Sequence, residues 1–190
     1  MKRSLVILVT VLAACGGGAT PSATSPTGSH GPSPTGTSPK AYVAAVCGAV
    51  LGWVDSVNAL SGSLPAQLSS AHSAKKTKRI FTDYLHRVVQ DTDAMVAQAK
   101  AAGAPAVANG QDVHRKLTET LDTIRTSFAE AEAKGKKLST NDPVALAKGI
   151  EQVERDLSSE LLGVEDILAF SDSADLALAA GSEPSCQKPG

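Results

Sequence analysis

From Pro39 onward the apolar residues recur at steps of three and four, the spacing of one face of an α-helix. Val43, Val46, Val50, Trp53, Val57 and Leu60 form the first stripe, and Gly62 and Pro65 are expected to end it. A second stripe lies within residues 74–102, carried by Phe81, Tyr84, Leu85, Val88, Thr92, Met95 and Val96, with Gly103 and Pro105 as stop signals. The third helix is expected to open at Asn109, with Asp112 in its first turn. Val113, Leu117, Leu121, Ile124, Phe128 and Ala131 run along it, and Lys134 closes it before Gly135. Asn141 or Asp142 caps the fourth, and Pro143 sits in its first turn, where a missing N–H costs nothing. Leu146, Ile150, Val153, Leu157, Leu161, Val164 and Leu168 mark its inner face, and Ser173–Ala180 reads as a short fifth piece. No segment alternates with period two. The pattern predicts an all-α fold: an up-down antiparallel four-helix bundle with a short C-terminal helical segment.

That threading places the start of the first helix and the end of the fourth at one pole. Cys47 lies near the former and Cys186 near the chain end, so the two are expected to form one structural disulfide. Closing a loop of about 140 residues stabilises by about 4–5 kcal/mol in the chain-entropy model. Redox thiols usually sit close in sequence, and no Cys-x-x-Cys pair or zinc knuckle occurs here.

Ahead of the helices the chain changes character. Of the 24 residues 16–39, 23 are Gly, Ala, Ser, Thr or Pro, none is charged, and only His30 breaks the set. Such a segment buries too little apolar surface to offset its ordering entropy, so it reads as a spacer. As a coil it would span roughly 27 Å, and as extended polyproline about 75 Å. Its Ser/Thr-Pro density also suits O-glycosylation. Residues 1–14 have the form of a secretion signal, with Lys2 and Arg3 ahead of the apolar run Leu5–Leu12. That run is about half the roughly 20 residues a spanning helix needs.

Leu12-Ala13-Ala14-Cys15 resembles the lipobox of bacterial lipoproteins. The resemblance implies that the signal is cut before Cys15 and that its sulfur carries diacylglycerol. Two acyl chains on one residue meet the requirement for stable anchoring. Lipobox, tether, the Tyr42-to-Cys47 spacing, the turn at residues 102–110 and the terminal Cys186 together look like the small secreted lipoproteins of actinobacteria. That resemblance implies location and architecture: residues 1–14 a signal, 15–39 the lipidated Cys and tether, 40–190 the helical domain. It implies no catalytic residue.

Composition narrows the chemistry. With 190 residues and a net charge of −1, the chain is not a strongly basic nucleic-acid binder. Only 3% of residues are aromatic, which points to an aliphatic core rather than an aromatic-lined pocket, and Trp53 reads as core. Asp83, His86, Gln90 and Asp93 share a helix face and make a weak metal candidate, more simply a solvated polar face. Neither Glu-x-x-His nor His-Glu-x-x-His occurs. Ser73-Ala74-Lys75-Lys76 and Ser185-Cys186-Gln187-Lys188 match Ser-x-x-Lys, a chance event in a chain this rich in Ser and Lys, and the partner motifs Ser-Asp-Asn and Lys-Thr-Gly are missing.

The charge pattern carries the remaining signal. Lys75, Lys76, Lys78 and Arg79 open the second helix, and Lys134, Lys136 and Lys137 close the third. Antiparallel threading puts both clusters at the pole away from Cys47. They read either as solvated helix ends or as a contact for an anionic envelope polymer or a partner protein. The expectation is a non-enzymatic, lipid-anchored interaction or accessory module on the outer face of the cytoplasmic membrane, with no cofactor, no metal and no nucleic acid. A small-ligand or metal-binding bundle is the alternative, and an envelope hydrolase would need a nucleophile–base pair that the sequence does not offer.

Overall fold

The computed structural model describes residues 35–160, 168 and 170–187. Signal, Cys15, tether residues 16–34, Leu161 and Val164 lie outside the described residues. What is described is helical: α1 Pro39–Ser69, α2 Ala74–Ala101, α3 Gly110–Lys137, α4 Pro143–Glu160, α5 Ala174–Ser182 and a 3-10 turn Pro184–Cys186. Helix α1 begins at Pro39, the last residue of the segment read as tether.

Local chemistry sets most helix starts. Ser38 accepts from Ala41 N and Ser73 from Lys76 N, each satisfying one of the open first-turn donors. Asp142, rather than Asn141, accepts from Val144 N at 2.8 Å, with Pro143 as the first residue of α4. Asn109 precedes α3 but makes no cap bond; its side chain donates to Asp172 O at 3.0 Å and ties the α3 start to the C-terminal segment. Gly103 ends α2 with φ +67°, a conformation glycine adopts without steric cost.

Two expected stops are overturned. Helix α1 continues through Gly62 and Pro65 to Ser69. Pro65 cannot donate to Ser61 O, but Ser61 is exposed, while Leu64 on the next turn is buried and Leu68 packs against the core. Helix α3 likewise runs past Gly135 to Lys137. Gly135 is a packing residue: a Cβ there would stand 3.0 Å from Leu85 Cδ1.

Cross-helix contacts give the directions. Trp53 meets Thr92 and Ser61 meets Tyr84, so α1 and α2 run antiparallel. Lys78 reaches Lys136 O, His86 meets Glu132 and Lys100 meets Asp122, so α2 and α3 do too. Helix α4 lies chiefly on α3, while α5 and the 3-10 turn lie on α1. Tyr42, Val43, Val46, Val50 and Trp53 meet Phe81, Leu85, Val88 and Met95 in the core, joined by Leu121, Phe128, Leu146, Ile150 and Leu176. Helix α1 is the one described helix long and apolar enough to cross a membrane, with a mean hydropathy of 1.6 over its most apolar stretch. Its inner face is the one that supplies this core.

Trp53 belongs to that core as expected, and its ring meets Phe128 edge-on at 6.0 Å. Its indole N–H donates to Thr92 Oγ1 at 2.9 Å, and Thr92 in turn donates to Val88 O at 2.7 Å. Thr92→Val keeps the shape but strands the buried indole N–H. Urea denaturation should show a loss of about 1–3 kcal/mol; an unchanged midpoint would mean that the bond contributes nothing.

Candidate functional site

The Cys47–Cys186 disulfide is present, with Cα atoms 4.9 Å apart across 139 positions of sequence. It joins the 3-10 turn to the first third of α1. The chain ahead of α1 is tied down as well. Thr37 forms a parallel bridge with Pro105, giving its N–H to Ala104 O at 2.9 Å and accepting from Ala106 N at 2.7 Å. Its hydroxyl donates to Ala102 O at 2.6 Å. The last tether residues are thus held against the α2–α3 loop, a clamp that sequence reading missed. Thr37 differs in no visible way from the other tether threonines, so composition could not reveal it.

Close to this end Tyr42 is fully buried, with its hydroxyl 3.5 Å from His114 Nδ1 and its ring edge-on to Phe170. Burial pushes the phenol up to about 12 and draws the His114 imidazole below its ordinary range. The neutral phenol is the form the core holds. Its stability contribution is complete below the unfolded tyrosine value near 10 and is lost as pH rises through 12. Phenolate absorbance of the folded chain should therefore contain an ionisation near pH 12 that Tyr42→Phe removes; its persistence in that variant would assign it elsewhere.

Phe170 has φ +48°, an uncommon conformation for a bulky side chain. It borders a cavity of about 150 Å³ with Val113, Lys116, Leu117, Thr120, Ser171 and Asp172. Lys116 pairs with Asp172 at 2.8 Å across its rim. A second hollow of about 190 Å³ lies between α1 and α2 over Gly48, Gly52 and Ser56, where Ser56 donates to Asp91 at 2.6 Å.

The face carrying Asp83, His86, Gln90 and Asp93 does not act as a unit. His86 Nδ1 lies 3.0 Å from Glu132, and Asp93 pairs with Arg125. Among the described residues no group of three or more His, Cys, Asp or Glu is placed to hold a metal ion. Glu132, buried and shared between Lys136 at 2.7 Å and His86, is held below the usual carboxylate range, first by the Lys136 hydrogen bond and then by His86. The signal for it was available, since Glu132 and Lys136 stand four apart in the favourable order.

The two basic clusters meet at the far end of the helices from the disulfide. Lys78 Nζ donates to Lys136 O at 2.7 Å, which sets the first turns of α2 beside the last turn of α3. Lys134 pairs with Asp156 on α4 at 2.9 Å. Lys75, Lys76, Arg79 and Lys137 are exposed. Comparison of the chain with protein-family models, with curated proteins and with solved structures gave no match of significance.

Proposed function

We propose that this chain is a non-enzymatic lipoprotein, held on the outer face of the cytoplasmic membrane by diacylglycerol on Cys15. Its helices, in an up-down antiparallel bundle, form an interaction or accessory module of the cell envelope. The Cys47–Cys186 bond carries this reading, because a structural disulfide persists in oxidising compartments outside the cytoplasm and is rare within it. The secretion signal and the resemblance of residues 12–15 to a lipobox supply the route and the anchor. The clamp at Thr37 supports a defined polarity: the tether joins the domain near the disulfide, and the basic end lies about 30 Å away along α1. No residue is assigned a catalytic role. Cell fractionation tests the proposal, with the chain expected among the membranes only while Cys15 is present.

One observation favours a second reading, a small-ligand module. The cavity beside Phe170 couples an uncommon backbone conformation to apolar and polar lining groups. A ligand held there would raise the unfolding temperature, by an amount growing with the logarithm of its concentration over its Kd. A panel of small metabolites and lipids that leaves the melting curve unmoved would remove this reading.

A further inference from the structure

The basic end differs from an ordinary solvated helix terminus in how its charges are used. Lys78, Lys134 and Lys136 are engaged within the chain, on Lys136 O, Asp156 and Glu132 respectively. Among the described residues no acid pairs with Lys75, Lys76, Arg79 or Lys137. Lys75 and Lys76 also stand in the first turn of α2, which holds no acidic residue and where the helix dipole disfavours cations. Local stability argues against this placement, and departures of that kind gather at functional surfaces.

The neighbourhood narrows the partner. Arg79 stands four residues from Lys75 and three from Lys76, so the three cations are neighbours on one helix face, with about 5–6 Å between Cβ atoms. Lys137 adds a fourth from α3. A protein partner would call for an apolar centre in the patch, and a membrane surface for large apolar side chains beside the charges. Val144 is the one described large hydrophobic residue strongly exposed on the helices at this end, and one valine supplies neither. Phe81 is buried and half-buried Tyr84 stacks against it at 6.5 Å, so among the described residues at this end no aromatic ring stands clear for a base to stack on. What suits unpaired point charges without a pocket is a linear polyanion, whose binding draws on counterion release.

We infer that Lys75, Lys76, Arg79 and Lys137 form a docking surface for a linear phosphate-chain polymer of the envelope. Surface cations without a pocket read linear charge density, in which a phosphate chain exceeds a polysaccharide bearing occasional carboxylates. The inference deepens the proposal above, since an extracytoplasmic chain with its basic end away from the tether would meet such a polymer. Binding and anchoring are nevertheless measured separately, so either can fail without the other.

The test uses the full chain, purified in detergent, and long-chain inorganic polyphosphate as the probe. Four contacts predict a slope of log affinity against log salt of about −0.7 per contact, hence roughly a 50-fold loss between 50 and 200 mM salt. The Lys75→Glu, Lys76→Glu, Arg79→Glu, Lys137→Glu variant should lose the binding while melting no lower than the parent, because all four side chains are exposed. Lys40→Glu, in the first turn of α1, controls for a reversed charge at the opposite pole and should bind as the parent does. Should the fourfold variant fail to fold, Lys75→Gln with Lys137→Gln should halve the slope. A parent that does not bind, a variant that binds with unchanged affinity and slope, or tighter binding to polyglutamate or phosphatidylglycerol vesicles than to polyphosphate would overturn the inference.

Discussion

Removing the disulfide, by Cys47→Ala together with Cys186→Ala, is expected to lower the unfolding free energy by about 2–5 kcal/mol. The bond spans 139 positions of the sequence. In the chain-entropy model so long a loop withdraws about 5 kcal/mol of freedom from the unfolded chain, and native disulfides commonly deliver somewhat less. In a chain this size each kcal/mol moves the melting temperature by about 2–4 °C, so a fall of roughly 5–20 °C should appear in a thermal scan. The loss should concentrate where the C-terminal segment meets α1. There Ser185 donates to Ala44 O at 3.4 Å, and Leu176 fills the core. Melting of the double variant at the parent temperature would show that packing alone holds that segment down.

The second large effect concerns location. A chain given an ordinary cleavable secretion signal in place of residues 1–14, with Cys15→Ala, should move from the membrane fraction to the soluble extracytoplasmic fraction. Each buried methylene of the acyl chains contributes about 0.8 kcal/mol, so loss of both chains removes the anchor altogether. The same experiment separates two sources of membrane affinity. Helix α1 has the length and apolarity to span a bilayer, yet Tyr42, Val43, Val46 and Trp53 on it are buried against the other helices. Retention of the Cys15→Ala chain in washed membranes would point to α1 and against the lipid.

Periodicity made the helices legible because burial selects one residue in every three or four. Phe81, Leu85, Val88, Met95 and Val96 could be assigned to an inner face before any coordinate was known, and all are buried. Stop signals were less legible. Pro65 and Gly135 have local preferences that end helices, but tertiary contacts decide the outcome. Leu64 and Leu68 carry α1 over the proline, and Leu85 occupies the space that a Cβ at position 135 would need. Neither neighbour can be named from local sequence. The same holds for Asn109, a good cap by type whose amide is taken by Asp172 O, 63 residues away.

The candidate site was legible in its charges and obscure in its anchoring. Two basic clusters 55 residues or more apart in sequence could be brought together by assuming antiparallel helices, and Lys78 does reach Lys136 O. Which of those cations are engaged depends on Glu132 and Asp156, residues on neighbouring turns and helices whose roles follow only from packing. The Thr37 clamp shows the opposite limit. In a segment built from five residue types and one histidine, nothing marks the residue that docks.

Whether a lipidated, disulfide-closed helical domain stands outside the membrane is decided by the intact mass of the protein extracted from membranes of a bacterial host that processes lipoproteins. The expected species is a chain beginning at Cys15, heavier by diacylglycerol on that residue, with Cys47 and Cys186 joined and closed to alkylation until reduction. A chain still carrying residues 1–14, or one with an unmodified Cys15, would contradict it.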